Sequence, residues 1–169
     1  MNSEQVASIE ARLAEVEARL EIMDLEAEYA RSWDAADPEG WAEVFTSDGV
    51  FEMSPVGIQP NRLQRGHAEL AAFCRETSTH YRGLHYMHLP RLSINGDVAY
   101  ARLHFEWIGL YNPRENYRGR RDAAGYYDVT YRKENGRWRM AHRLEKQITG
   151  QIADGYDIYL SESFPSTTA

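Results

Sequence analysis

One cysteine in 169 residues leaves no intrachain disulfide framework and no thiolate cluster for zinc or redox chemistry. That residue, Cys74, lies in a helical-looking stretch with nothing nearby in sequence to activate it, so it reads as a packing residue. Basic residues are scarce too: 19 Lys and Arg against 26 Asp and Glu give a net charge of -7 and a pI near 5.4, which argues against nucleic acid as a partner. No apolar run approaches the ~20 residues that cross a bilayer, and Met1-Asn2-Ser3-Glu4-Gln5 lacks the basic and apolar regions of a signal peptide, so a cytoplasmic protein is expected. Gly-rich phosphate loops, flavin signatures and helical His-x-x-x-His pairs are also missing, and the expectation is a reaction run without metal or organic cofactor. Nor does a Gly, Ser or Pro linker divide the chain: 1–169 reads as one domain, with a helical extension over 1–22 and a tail over 150–169.

Aromatic residues are plentiful. Eleven Tyr, five Phe and four Trp make up 12% of the chain, enough rigid surface for a core and for the walls of a small-molecule pocket.

The longest helical pattern runs through Val6, Ile9, Leu13, Val16, Leu20, Met23, Ala27, Ala30 and Asp34 at three-then-four spacing. At ~100° per residue Asp34 falls on the direction of Met23, so an inward-facing stripe carries a carboxylate into the interior. Such a group needs a partner or a raised pKa; alternatively Asp34 ends the helix just before Asp37-Pro38. The same stripe has heptad spacing from Val6 to Met23, which suits packing of its first half on a neighbouring subunit. Pro38 opens a second helix through Phe45 with Asp37 as N-cap, Thr46 to Gly49 forms a turn, and Val50 to Met53 a short strand. Gly66 precedes a third helix, His67 to about Thr77.

Strands follow: Leu84 to Ile94, Val98 to Tyr111 after the turn Asn95-Gly96-Asp97, Ala124 to Lys133, and Arg137 to Ile148 after Glu134-Asn135-Gly136. Between the second and third lies a polar connection, Asn112 to Asp122, carrying Arg114, Arg118, Arg120 and Arg121. From Gly150, Tyr156, Ile158, Tyr159, Leu160 and Phe164 mark a segment that packs down. Helices first and an antiparallel meander second define an α+β class.

Asp34, with Trp33 beside it and Tyr29 one face away, brings an acid, an indole and a phenol to one helix end. His85, His88, His104 and His142 are the strand histidines that could complete a site. His85 and His88 point to opposite faces of a strand, which makes them a poor chelate. On the second strand Ala99, Ala101, Leu103, Phe105 and Trp107 form an apolar face that belongs against a helix or a neighbouring subunit. Arg102, His104, Glu106 and Ile108 form the other, which is either wet or lines a cavity.

Leu25 to Asp34, Trp41-Ala42-Glu43-Val44-Phe45, Asp48-Gly49-Val50-Phe51, Leu84-His85-Tyr86, Tyr131-Arg132-Lys133 and Gly136-Arg137-Trp138 together resemble the nuclear transport factor 2-like superfamily, with the SnoaL-like branch the best match. The resemblance spans roughly Met23 to Ile148. It implies a cone-shaped α+β barrel, a curved sheet wrapped around a pocket that the first helix closes. In the lyases of that branch a helix-end Asp pairs with a strand His that removes a proton while a hydroxyl or halide leaves. Asp34 and His85 match that pair, Tyr29 matches the tyrosine of the bile acid dehydratases, and His104 falls where scytalone dehydratases carry a second pocket histidine. Trp33, Phe51, Met53, His88, Glu106, Ile108 and Tyr127 are the implied substrate-binding positions. Trp33 and Met53 stand where scytalone dehydratases have tyrosines, and Gly125 and Tyr127 where they have Ser and Asn, so scytalone itself is not the expected substrate.

The chemistry agrees with the resemblance. A neutral imidazole is a suitable base near neutral pH, a carboxylate on its other nitrogen fixes the tautomer, and Tyr29 can donate to a developing oxyanion or a departing hydroxyl. A cofactor-independent dehydratase-type lyase acting on a small aromatic or polycyclic substrate is therefore expected. Isomerisation, a formaldehyde-releasing retro-aldol cleavage of a phenolic substrate, and a non-catalytic binding or assembly module are the alternatives. A homo-oligomer is expected from the apolar strand face and the helix seam. The resemblance favours a trimer, closed near Tyr156 to Phe164, over a dimer.

Overall fold

The structure, a computed structural model, describes residues 2–54, 61–111, 121–152 and 155–158. Helix α1 (Ser3–Asp34) starts from a capping box in which the Asn2 side chain accepts from the Gln5 N–H at 2.9 Å and the Gln5 side chain accepts from the Asn2 N–H at 3.0 Å. It ends where Ala36 takes a left-handed φ of 54°. Asp37 then caps the short α2 (Pro38–Glu43) by accepting from the Gly40 N–H at 3.0 Å. Because the helix stops at Asp34, that side chain lies at its open end, over the start of the sheet.

α1 carries two stripes rather than one. Ala18, Ile22, Leu25, Tyr29 and Ser32 recur at helical spacing and are buried against the body of the protein. The greasier stripe faces away from it: Val6, Ile9, Leu13, Val16, Leu20 and Met23 are 36–57% exposed. The stripe's second half, expected to run inward toward Asp34, is thus corrected at Leu20 and Met23, while its first half, expected to pack on a neighbouring subunit, is uncovered in the single chain. Sequence period shows that an apolar stripe exists, not which of two stripes the sheet covers.

The sheet contains β1 (Phe45–Met53), β2 (Arg62–Arg65), β3 (Tyr81–Met87), β4 (Arg91–Asn95), β5 (Val98–Tyr111), β6 (Arg121–Glu134), β7 (Arg137–Ile152) and β8 (Gly155–Ile158), with α3 (Gly66–His80) between β2 and β3. Among the described residues its order is β2-β1-β7-β6-β5-β3, with β4 on β5 and β8 on β7. All described pairings are antiparallel except β1 with β7. The segment expected as one strand from Leu84 to Ile94 is two, β3 and β4, both on β5. Pro90 cannot donate to the ladder, and the last bond before it runs from the His88 N–H to the His104 carbonyl at 3.0 Å. The expected turn over Thr46 to Gly49 lies inside β1 as an irregularity between Phe45 and Val50. Arg114, Arg118 and Arg120 lie outside the described residues, as do Tyr159, Leu160 and Phe164.

Two bulges bend β7. The register against β6 skips Ala141 between Thr130 and Tyr131, and skips Ile148 between Ala124 and Gly125. At the second, a Cβ on Gly125 would lie 1.9 Å from the Lys146 carbonyl oxygen, so only glycine fits. The sheet curls around a core in which Trp41 from α2 packs against Tyr29, Trp33, Phe45 and Phe51 with ring centroids 4.8–5.7 Å apart. Leu103 and Phe105 turn into the same interior, so this stretch of β5 is covered within the chain and leaves no apolar face for a neighbour.

Cys74 is fully buried on α3, and burial pushes its thiol up to about 11. Ellman's reagent at pH 8 should therefore leave the native protein unlabelled and titrate one thiol after denaturation; rapid native labelling would contradict this packing.

Candidate active site

His85 on β3 stands in register with Trp107 on β5, and both side chains face the concave side of the sheet. The end of α1 brings Asp34 to the same point. Asp34 Oδ1 accepts from His85 Nδ1 at 2.7 Å, and Oδ2 accepts from the His85 backbone N–H at 2.9 Å. Gripped at both ring and backbone, the imidazole has one orientation. A carboxylate only accepts, so the neutral ring carries its proton on Nδ1 and keeps the Nε2 lone pair. The His85 side chain is 5% exposed and that of Asp34 15%, which removes the pair from bulk solvent and its screening.

The cavity beside them encloses about 580 Å³ of space between atoms, a volume that includes open solvent at its mouth. Its walls are mostly apolar and aromatic: Tyr29, Trp33, Phe51, Met53, Phe73, Phe105, Trp107, Ala123 and Tyr127. Thr77, Tyr81, His85, Glu145 and Gln147 add polar atoms. Tyr29 packs edge-on to His85 and to Tyr127, at 5.9 and 5.8 Å between ring centroids. Burial is the main cause that raises the pKa of both phenols. They stay protonated and act as donors.

Under these two rings lies Arg143, fully buried, its guanidinium carbon 3.8 Å from each ring centroid. Arg143 Nη1 donates to both oxygens of the buried Glu26, at 2.8 and 2.9 Å, and the Tyr131 hydroxyl donates to Glu26 as well. Burial disfavours the Arg143 charge, but Glu26 and the surrounding tyrosines more than offset it, and its pKa moves up. A permanent cation therefore sits behind the Tyr29–Tyr127 pair and draws electron density from the two donors. Glu145 places a second carboxylate at the cavity, accepting from Gln147 Nε2 at 2.8 Å.

The structure brings His85, Tyr29, Trp33, Phe51, Met53 and Tyr127 together at one cavity, with Asp34 joined to it through its hydrogen bonds to His85. It does not bring His104, His88, Glu106 or Ile108 there. His104, His88 and Glu106 are exposed on the convex face, where His104 lies 6.4 Å from His88 and 6.3 Å from Tyr126 between ring centroids. Ile108 shares that face, opposite the exposed Leu84. The reason is curvature: the polar face of β5 is the outer one, and the apolar face builds the pocket wall. His142 also faces outward, its Nε2 3.2 Å from Glu52 Oε2. The sequence reading missed Glu145, Gln147 and Arg143, as well as Phe73, Thr77, Tyr81, Phe105, Trp107 and Ala123 in the wall. Among the described residues no group of three His, Cys, Asp or Glu side chains converges as a metal-ligand set, and no helix is long and apolar enough to cross a membrane.

The family model of the SnoaL-like domain matches residues 14–144. Solved structures with the same fold include an NTF2-like protein with a cystatin-like fold from Novosphingobium aromaticivorans, at 23% identity and a TM-score of 0.68 over 87% of this chain and 92% of that one. A candidate scytalone dehydratase from the same organism is 19% identical, with a TM-score of 0.71 over 92% of this chain and 99% of that one. A single-substitution variant of Rv3472 from Mycobacterium tuberculosis, a protein of unknown function, is 26% identical, with a TM-score of 0.67 over 82% and 75% of the two chains. No functionally curated protein matches. The architecture is the NTF2-like, cystatin-like α+β fold.

Proposed function

The chain belongs to the SnoaL-like domain family, and we propose that within it this protein is a cofactor-independent lyase of the dehydratase type. Its substrate is a small, mostly apolar compound with an aromatic or polycyclic frame. The observation that carries this reading is the Asp34–His85 hydrogen bond, 2.7 Å long, at the wall of an aromatic cavity. Nε2 of His85 takes a proton from a carbon made acidic by an adjacent carbonyl or phenol. Asp34 stabilises the imidazolium that results, as a carboxylate behind a catalytic histidine does in hydrolases. Tyr29, packed against Tyr127 and polarised by Arg143, donates to the oxygen on which charge develops or to the departing hydroxyl. Aromatic walls favour a flat substrate by stacking and keep water from competing for the proton.

Isomerisation is the second reading, and Glu145 is the observation that favours it: its carboxyl group lines the cavity with His85, and in its protonated form can deliver its own proton to one carbon while His85 Nε2 takes a proton from another. A thermal-shift screen of phenolic, steroid and polyketide-like compounds tests the substrate class, followed by product analysis of each hit by mass. A product lighter by one water supports elimination. Unchanged mass with a moved double bond supports isomerisation, and a panel without any stabilising compound would count against the pocket as a substrate site.

A further inference from the structure

The outward stripe of α1 has more order than burial in this chain uses. With Val6, Leu13 and Leu20 as positions a and Ile9, Val16 and Met23 as positions d, the spacing is an unbroken heptad. All six are exposed, and every residue from Ser3 to Glu17 is exposed, so among the described residues the first four turns are covered by nothing. A bare helix of that length is marginal in water. The residues packed on the body, Ala18, Ile22, Leu25 and Tyr29, occupy positions f and c, roughly 160° around the helix from the stripe at ~100° per residue. A partner can thus cover the stripe without disturbing the fold or the Asp34–His85 pair.

The flanking charges identify that partner. Positions e are Glu10, Glu17 and Asp24, all acidic; positions g are Gln5, Arg12 and Arg19, with no acid among them. In a parallel pair of these helices each g residue meets the e residue five positions later on the other strand. Arg12 then meets Glu17 of the partner subunit, Arg19 meets Asp24 of the partner subunit, and Gln5 meets Glu10 of the partner subunit, each contact made in both directions. Antiparallel pairing sets e against e and g against g, and places like charges together along both flanks. Arg19 holds Glu15 within its own helix at 2.8 Å in the single chain, an exposed contact that leaves its remaining donors for a second acid.

From this complementarity we infer that α1 is a self-association element: it pairs in parallel and in register with α1 of a second copy of this chain, through the Val6–Met23 seam. The assignment does not depend on the reading of the cavity. It places the globular bodies at the same end of the paired helices, with both active sites beyond the C-terminal end of the seam.

Light scattering and sedimentation of the full chain at micromolar concentration test it, with far-UV circular dichroism as the check on folding. The wild type should associate, and Leu13→Glu/Leu20→Glu should be monomeric with the body's secondary structure retained, since both residues are exposed. Arg12→Glu/Arg19→Glu should weaken association roughly tenfold or more, and adding Glu17→Arg/Asp24→Arg in the same chain should restore it. A monomeric wild type, which would give the stripe another occupant, overturns the inference. So does an assembly that survives Leu13→Glu/Leu20→Glu, and failure of the fourfold charge swap to restore pairing overturns the parallel register.

Discussion

Replacing His85 with Gln should lower kcat/KM by about 100- to 10,000-fold, the contribution of a positioned general base, while leaving the fold intact. Glutamine preserves much of the ring's volume beside Tyr29 and Trp33 and can still accept or donate a hydrogen bond, but it cannot take up a proton. Asp34→Asn should produce a loss of the same order for a different reason. The asparagine oxygen can keep the bond from the His85 backbone N–H, and its amide then donates to Nδ1. That pairing drives the proton onto Nε2, the atom that must be free to act. The measurement is turnover of a compound found by the thermal-shift screen, with thermal unfolding of each variant recorded alongside. Near-normal turnover by His85→Gln would move the base to another group, and Glu145 is the next in the cavity.

The Asp34–His85 pair was legible because each half has a distinctive local setting: an acid at the end of a long helical period, and a histidine in a strand that the resemblance supplied. β5 was legible from its two bounding signals, the Asn-Gly-Asp turn and strict alternation, and its observed limits, Val98–Tyr111, agree with the reading. What failed was the step from local pattern to global side. Alternation divides β5 into two faces but does not say which is concave, and a polar face is as compatible with a wet exterior as with a pocket. The resemblance, not the alternation, put His104, Glu106 and Ile108 on the pocket side. The pairing of His85 with Trp107 closes the choice, since directly paired residues share a face. In β7 the obstacle was a bulge. Counting by twos from Trp138 and Met140 places His142 and Leu144 inside. The skipped Ala141 inverts the count and turns Arg143, Glu145 and Gln147 inward instead. Bulges of this kind leave no composition signal, so the polar floor of the cavity could be found only from the pairing.

That inverted stretch leads to the largest stability effect expected. Arg143→Met should destabilise the protein by about 3–5 kcal/mol, because it leaves the Glu26 carboxylate, 4% exposed, without its cation. For a chain of this size the loss should appear as a fall in Tm on the order of 10 °C. The Tyr131 hydroxyl still donates to Glu26 in that variant, but a neutral donor does not replace a charge held by two hydrogen bonds. Glu26→Gln in addition should recover much of the loss, since the charge is then gone while an acceptor for Tyr131 remains. The recovery, read from urea unfolding as a coupling between the two positions, separates an ion-pair effect from simple loss of packing. Two independent penalties that add would place the cost in the side chain's volume. The double variant carries a further consequence for the cavity. Arg143 Nε and Nη2 have no hydrogen-bond partner among the described residues and lie against the ring faces of Tyr29 and Tyr127. Without the cation the two phenols lose the charge that polarises them. A variant restored in stability should therefore remain impaired in kcat, and recovery of both together would show that the buried cation serves the fold alone.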